Sequence, residues 1–207
     1  MQERVGSKLI VSMDESPETR VRDSELLITP SDVLSMMPGG LRFLFLDEIL
    51  EVDRTHISAR YRFRKDEFFY QGHFPDRGVT PGTVLLEAMC QCGVTAHSYY
   101  FLAMELGIEI AKRYRVLFTN SEAEWFELVA PGSLVTIHSE LLAWRLRRIQ
   151  ARVKMFSESN TLIAQSILAG TSVSWHPDDA PKNSLHPSSE QGDTRPISLY
   201  GGPNEPR

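Results

Sequence analysis

Apolar and polar residues follow two different periods along this chain, and the change of period separates strands from one long helix. Residues 56–65 alternate strictly, with apolar residues such as Ile57 on one face and arginines such as Arg60 on the other. That alternation is typical of a half-buried antiparallel strand. Residues 83–104 are apolar on almost every face, which indicates a buried helix. Further strands are predicted at residues 41–52, 116–126, 134–144, 149–156 and 162–174.

The order of these elements predicts a single α+β domain. A short helix after Thr29 is followed by two strands, the long helix and four more strands. A helix that is apolar all round needs an enclosing surface, and an antiparallel sheet curled around it supplies one. The sheet would keep open edges, so a homodimer is expected. The domain is predicted over residues 26–175, between a flexible charged segment at 1–25 and a disordered proline- and serine-rich tail at 176–207.

Composition narrows the class of protein. The chain has 207 residues and a net charge of −5, which argues against general nucleic-acid binding. No stretch reaches the ~18 apolar residues of a membrane span, and the first 25 residues hold too many charges for a signal peptide. A cytoplasmic location is therefore expected. Cys90 and Cys92 are predicted to be buried free thiols, because positions two apart on a helix lie about 200° apart around its axis.

The candidate chemistry lies where a turn-rich loop enters the long helix. The loop at 72–82 carries His73 and passes through Pro81 and Gly82 into the helix. Glu87, fourteen residues after the histidine, is an acid in otherwise apolar surroundings. It begins a polar stripe with helical spacing, which is either an internal network or the wall of a site. The stripe comprises Glu87, Gln91, Thr95 and Ser98.

This loop and helix resemble the signature of the β-hydroxyacyl-ACP dehydratases of the FabZ/FabA type. The resemblance extends over about residues 32–174. Glutamate on the helix is similar to FabZ, because the FabA type usually has aspartate there. The matching motifs are Gly-His-Phe-Pro at 72–75, Val-Thr-Pro-Gly at 79–82, Glu-Ala-Met-Cys-Gln at 87–91, Phe-Leu-Phe-Leu-Asp at 43–47 and Ala-Pro-Gly at 130–132.

The resemblance implies a hot-dog fold and a homodimer with two composite sites. In each site His73 of one protomer faces Glu87 of the other, one as base and the other as acid. The reaction implied is removal of water from a 3-hydroxyacyl thioester carried by acyl carrier protein, in fatty-acid or polyketide/polyene-type biosynthesis. The N–H groups of Gly82 or Thr83 would hold the thioester oxygen, and Gln91 would hold the carboxyl. The resemblance implies no metal and no redox cofactor, since the phosphopantetheine arm belongs to the substrate.

Two positions in the loop depart from the family pattern. Gly78 stands where the family has proline, and Thr80 stands where it has methionine. These changes predict a looser and more polar loop, in which the substrate preference of this protein would reside. A specialised lipid or polyketide pathway is expected rather than housekeeping elongation.

A basic cluster marks one of the late hairpins. Arg145, Arg147 and Arg148 lie close together there, on a solvated face or on a docking surface for the acidic carrier protein.

Two other functions stay open at this point. An acyl-thioesterase on the same fold would use the acid or the histidine to activate water. A non-catalytic acyl-binding or scaffold subunit would keep the fold without turnover.

Overall fold

The computed structural model of the chain describes residues 27–175, except residues 39, 41 and 75. The two predicted end segments at 1–25 and 176–207 lie outside the described residues. The helices are α1 (Pro30–Met36), α2 (Gly82–Cys90), α3 (His97–Leu106) and α4 (Ile108–Ala111), with a 3₁₀ turn at Phe68–Gln71 and a π-helical segment at Gln91–Ala96. The strands are β1 (Glu48–Val52), β2 (His56–Arg62), β3 (Tyr114–Trp125), β4 (Leu134–Arg145), β5 (Arg148–Ser157) and β6 (Leu162–Ser174).

The strands form one antiparallel sheet that encloses the central helix. Its order is β1-β2-β4-β5-β6-β3, so β1 and β3 are its edges. The π-helical segment packs against strands β2 to β6. Inward-facing side chains such as Ile137, Met155 and Leu168 are fully buried beneath the helix. This is the hot-dog arrangement that the sequence predicted, and the last four strands begin and end within two residues of their predicted bounds.

The central helix is buried as predicted, but it is not one uninterrupted α-helix. Residues 91–96 widen into a π-helical segment between α2 and α3. Gly93 lies in that segment so close to the sheet that a Cβ would meet Val153 Cγ2 at 2.5 Å and Ser139 Oγ at 2.7 Å. The sequence gives no sign of such a turn. Apolar residues occupy almost every face of this helix, so they set no period from which a change of pitch could be read.

Both cysteines lie in this helical region, and both predictions about them are confirmed. Cys90 and Cys92 are buried free thiols. Burial raises the pKa of each thiol well above its ordinary value, because the thiolate would lose its hydration. No helix within the described residues is long and apolar enough to cross a membrane.

The first strand is shorter than predicted. It was expected over residues 41–52 but begins at Glu48. Residues 43–45 before it are held by a side chain instead of a neighbouring strand. The Phe45 N–H donates to Gln91 Oε1 (2.8 Å), and the Phe43 carbonyl accepts from Gln91 Nε2 (2.9 Å).

His97, the first residue of α3, is a fully buried imidazole. Its Nε2–H donates to the Asp53 carbonyl (2.9 Å), and its ring stacks on Phe101 at 5.0 Å between ring centroids. Within the described part of the chain Nδ1 has no hydrogen-bond partner. Burial therefore lowers the pKa of His97, against a smaller opposing effect of the Asp53 carbonyl.

This histidine should make stability depend on pH. Because its pKa is lower in the folded than in the unfolded chain, its proton is taken up on unfolding, and stability falls as the pH falls below about 6.5. We expect wild type to lose about 0.5–1 kcal/mol more than His97→Gln between pH 7.5 and 6.0. Urea unfolding of both proteins at the two pH values measures this. The exposed His138→Gln is the matched control and should keep the wild-type pH dependence; equal slopes for all three proteins would contradict the assignment.

Candidate active site

The His73 side chain is half-buried in the loop that precedes α2. Its Nδ1 lies 2.9 Å from the Val79 carbonyl oxygen. A carbonyl only accepts, so Nδ1 carries a hydrogen, and in the neutral imidazole Nε2 keeps its lone pair. The Val79 N–H returns a hydrogen bond to the His73 carbonyl (3.1 Å), and the imidazole stacks on the Phe74 ring at 4.3 Å. The loop thus fixes both the tautomer and the orientation of the ring.

The two residues that depart from the family pattern, Gly78 and Thr80, both make close contacts, while the looser loop stays a prediction. Gly78 lies against Pro131, where a Cβ would come within 2.9 Å of the proline Cγ. Thr80 is buried; its N–H donates to the Val129 carbonyl (2.8 Å), and its hydroxyl bonds the Tyr70 hydroxyl (2.6 Å). The glycine permits close approach to the 129–131 segment, and the threonine gains a hydroxyl partner that methionine would lack.

The start of α2 presents free backbone donors. Pro81 is the N-cap residue, and its carbonyl accepts from the N–H groups of Val84 and Leu85. The N–H groups of Gly82 and Thr83 come before the first intrahelical bond, and among the described residues neither has an acceptor. These are the two donors that the sequence singled out.

The acid of the site is held by an amide one turn further along. Gln91 Nε2 donates to Glu87 Oε1 (2.9 Å). The same amide bonds Phe43 and Phe45, as described above, so both its N–H donors and one acceptor position of Oε1 are occupied. Glu87 is half-buried, whereas Gln91 is only 6% exposed. This hydrogen bond suits the predicted role of Gln91, which is to hold the Glu87 carboxyl in place.

The polar stripe does not continue beyond this pair. The π-helical segment begins at Gln91 and interrupts the repeat on which the stripe depended. Ser98 is fully buried, and its hydroxyl has no partner in the described part of the chain. Thr95 is half-buried. The site is thus confined to the first part of the helix.

His73 and Glu87 do not meet within the described chain through any hydrogen bond or ion pair. Their encounter across two protomers stays a prediction.

One further contact of the site was not predicted from the sequence: the Trp125 indole N–H donates to the Gly82 carbonyl (3.2 Å). These residues are 43 positions apart, and only the fold brings them together.

The three arginines lie at the tip of the β4–β5 hairpin. Arg147 is engaged within the chain, because its Nη1 donates to the Tyr114 hydroxyl (2.6 Å) and its guanidinium lies 4.9 Å from that ring centroid. Arg145 and Arg148 face each other across the hairpin and are exposed. The tip is at the far end of β4, a 12-residue strand and roughly 36 Å long, from the Pro131 turn that contacts the His73 loop. Their part in carrier docking stays a prediction.

The described residues contain no group of three or more His, Cys, Asp or Glu side chains suited to a metal ion. Glu87 accepts a hydrogen bond from the Gln91 amide, and His73 donates one to the Val79 backbone carbonyl.

Comparisons with known proteins agree with this geometry. The profile of the FabA-like domain family matches residues 37–165. The 3-hydroxyacyl-acyl-carrier-protein dehydratase FabZ of Thermus thermophilus is 32% identical over 120 residues, which cover 55% of this chain and 76% of that protein. The enzyme of the same name from Lawsonia intracellularis is 30% identical over 139 residues, covering 66% and 87%.

A solved structure shares the fold. The dehydratase heterocomplex ApeI:P from Xenorhabdus doucetiae superposes with a TM-score of 0.57 at 16% identity, over 69% of this chain and 90% of that chain. The match to the family profile spans well over half of the sequence and includes the His73 loop, α2 and most of the sheet. This chain is a member of the FabA-like family.

Proposed function

We propose that this protein is a lyase that removes water from 3-hydroxyacyl thioesters to give trans-2-enoyl thioesters. The observation that carries the proposal is the carboxyl of Glu87, fixed by Gln91 on the helix whose first N–H groups are open. The names of the FabZ relatives supply the substrate class, an acyl chain on acyl carrier protein. The product class fits fatty-acid or polyketide/polyene-type biosynthesis in the cytoplasm.

The reaction needs one base and one acid. Nε2 of His73 keeps a lone pair, so it takes the proton from C2 of the substrate. The electron pair of that C–H bond becomes the second bond between C2 and C3. The C3–O bond breaks, and protonated Glu87 gives its proton to the departing hydroxyl, which leaves as water. The proton on His73 then returns to Glu87 through solvent.

Negative charge grows on the thioester oxygen while the C2 proton is lost. The N–H groups of Gly82 and Thr83 are the donors that stabilise it, because they have no other acceptor and lie at the positive end of α2. Backbone donors of this kind need no reorganisation during the reaction.

The active unit is a homodimer with two shared sites. In the single chain β3 is a 12-residue edge strand, and it exposes Phe118 (40%) and Trp125 (46%). A long edge strand with exposed aromatic side chains favours pairing with a second copy. The pairing brings His73 of one protomer to Glu87 of its partner. The carrier protein docks through the basic hairpin tip, where Arg145 and Arg148 are exposed and Arg147 is also bonded to Tyr114.

The test is an assay of the reverse reaction with a crotonyl thioester, in which loss of the enoyl absorbance and release of free thiol are followed together. We expect hydration without thiol release. Thiol release would identify a thioesterase instead, and no reaction on either carrier-bound or coenzyme A-bound substrate would leave only a binding subunit. Either of these results overturns the proposal.

A further inference from the structure

We infer that Trp125 is a positioning residue that strengthens the Thr83 N–H as a donor to the substrate thioester oxygen. This inference rests on the proposed dehydratase function and adds to it a residue that belongs to neither the His73 loop nor α2. Trp125 is the last residue of edge strand β3.

The geometry ties the indole to one peptide group. Trp125 Nε1–H donates to the Gly82 carbonyl at 3.2 Å. The ring lies so close that a Cβ on Gly82 would be 3.3 Å from Nε1 and 3.4 Å from Cε2. The Gly82 carbonyl and the Thr83 N–H are the two ends of the same planar peptide unit. A donor on the oxygen therefore acts on the group that carries the proposed oxyanion donor.

Hydrogen bonding at one end of a peptide group polarises the other. Condensed-phase estimates of this cooperative strengthening are roughly 10–30% per bond. Loss of a whole oxyanion donor typically lowers kcat by about 10²–10³-fold. Loss of the indole N–H, which only weakens the donor, should then lower kcat by about 2- to 8-fold.

The bond is not needed to satisfy a buried carbonyl. In α2 the Gly82 oxygen is already the acceptor for the N–H four residues later, so the indole adds a second donor to it. Trp125 itself is 46% exposed and contributes a limited part of its surface to the core. Packing of the Trp125 ring, against Gly82 or in the proposed dimer, requires the ring but not its N–H, so the N–H is the part that bears on the peptide group.

The test separates the N–H from the ring. Trp125→Phe keeps an aromatic ring without the donor, and replacement of the indole by benzothienylalanine keeps the shape of the residue as well. We expect both variants to lower kcat by about 2- to 8-fold with KM nearly unchanged. The carbonyl stretching frequency of a bound crotonyl thioester should also move toward its value in water, because the carbonyl is less polarised.

Trp144→Phe is the matched control, since its indole N–H donates to Glu105 Oε1 (2.7 Å) at the far side of the helix. It should keep the wild-type kcat and carbonyl frequency. If the Trp125 variants also keep the wild-type frequency, or lose only thermal stability, the residue is merely structural and the inference is overturned. A wild-type protein without hydratase activity would overturn the proposed function, whereas active wild type with unchanged Trp125 variants overturns this inference alone.

Discussion

Glu87→Gln should lower kcat by about 10²–10⁴-fold while the fold is kept, because the amide has the shape of the carboxyl but cannot donate a proton to the leaving hydroxyl. The amide at position 87 still offers an oxygen to Gln91 Nε2. The bonds of Gln91 Nε2 to Phe43 and of Gln91 Oε1 to Phe45 therefore survive the substitution. The loss should therefore appear in turnover and not in the free energy of unfolding. Steady-state kinetics of crotonyl thioester hydration and urea unfolding measure the two quantities.

The matched control is Glu140→Gln, which changes an exposed carboxyl on the outer face of the sheet that pairs with Arg152 (2.7 Å). An exposed pair of this kind contributes about 0–1 kcal/mol, so this variant should keep both wild-type rate and stability. A Glu87→Gln protein with a near-normal rate would remove Glu87 from the mechanism.

A mixed dimer of His73→Ala and Glu87→Gln chains should recover activity that neither variant has alone. If each site takes its histidine from one protomer and its acid from the other, one site of the mixed dimer combines both intact residues. The other site combines both lesions. Random pairing of equal amounts makes half of the dimers mixed, so the preparation should reach about a quarter of wild-type activity.

Co-expression of the two variants under different affinity tags, followed by sequential purification, isolates the mixed dimer. The purified mixture should show about half of the wild-type activity per dimer, since one of its two sites is intact. Mixed dimers of two Glu87→Gln chains, purified in the same way, are the control and should stay inactive. An inactive pairing of His73→Ala with Glu87→Gln would mean that the histidine and the acid act within one chain.

Most of the fold was predictable because its signals are local. The predicted bounds of β4, β5 and β6 were right almost to the residue, because turn residues such as Pro131 and Asn160 lie beside these strands. The helix after Gly82 followed from its Pro-Gly entry and its apolar length. His73, Glu87 and Gln91 were found from a motif with fixed spacing, and the structure adds the Gln91–Glu87 bond.

The features that were missed depend on contacts distant in sequence. Gln91 reaches Phe43 and Phe45, 46 to 48 positions away, and thereby takes the place of a strand partner for the segment before β1. Trp125 reaches Gly82 from the end of β3. The contacts of the two off-pattern loop residues, Gly78 with Pro131 and Thr80 with the Tyr70 hydroxyl, also leave no trace in the neighbouring residues of the sequence.

The π-helical segment at Gln91–Ala96 has a consequence for how this helix tolerates change. A single wide turn acts like one inserted residue, which rotates everything after it by about 100° relative to an ideal helix. Side chains before this turn and side chains after it are therefore rotated relative to each other about the helix axis. Glu87 and Gln91 lie in the first part, and the buried His97 and Ser98 lie in the second. Removing one residue from the turn would undo this rotation and turn one of the two sets of side chains away from its partners.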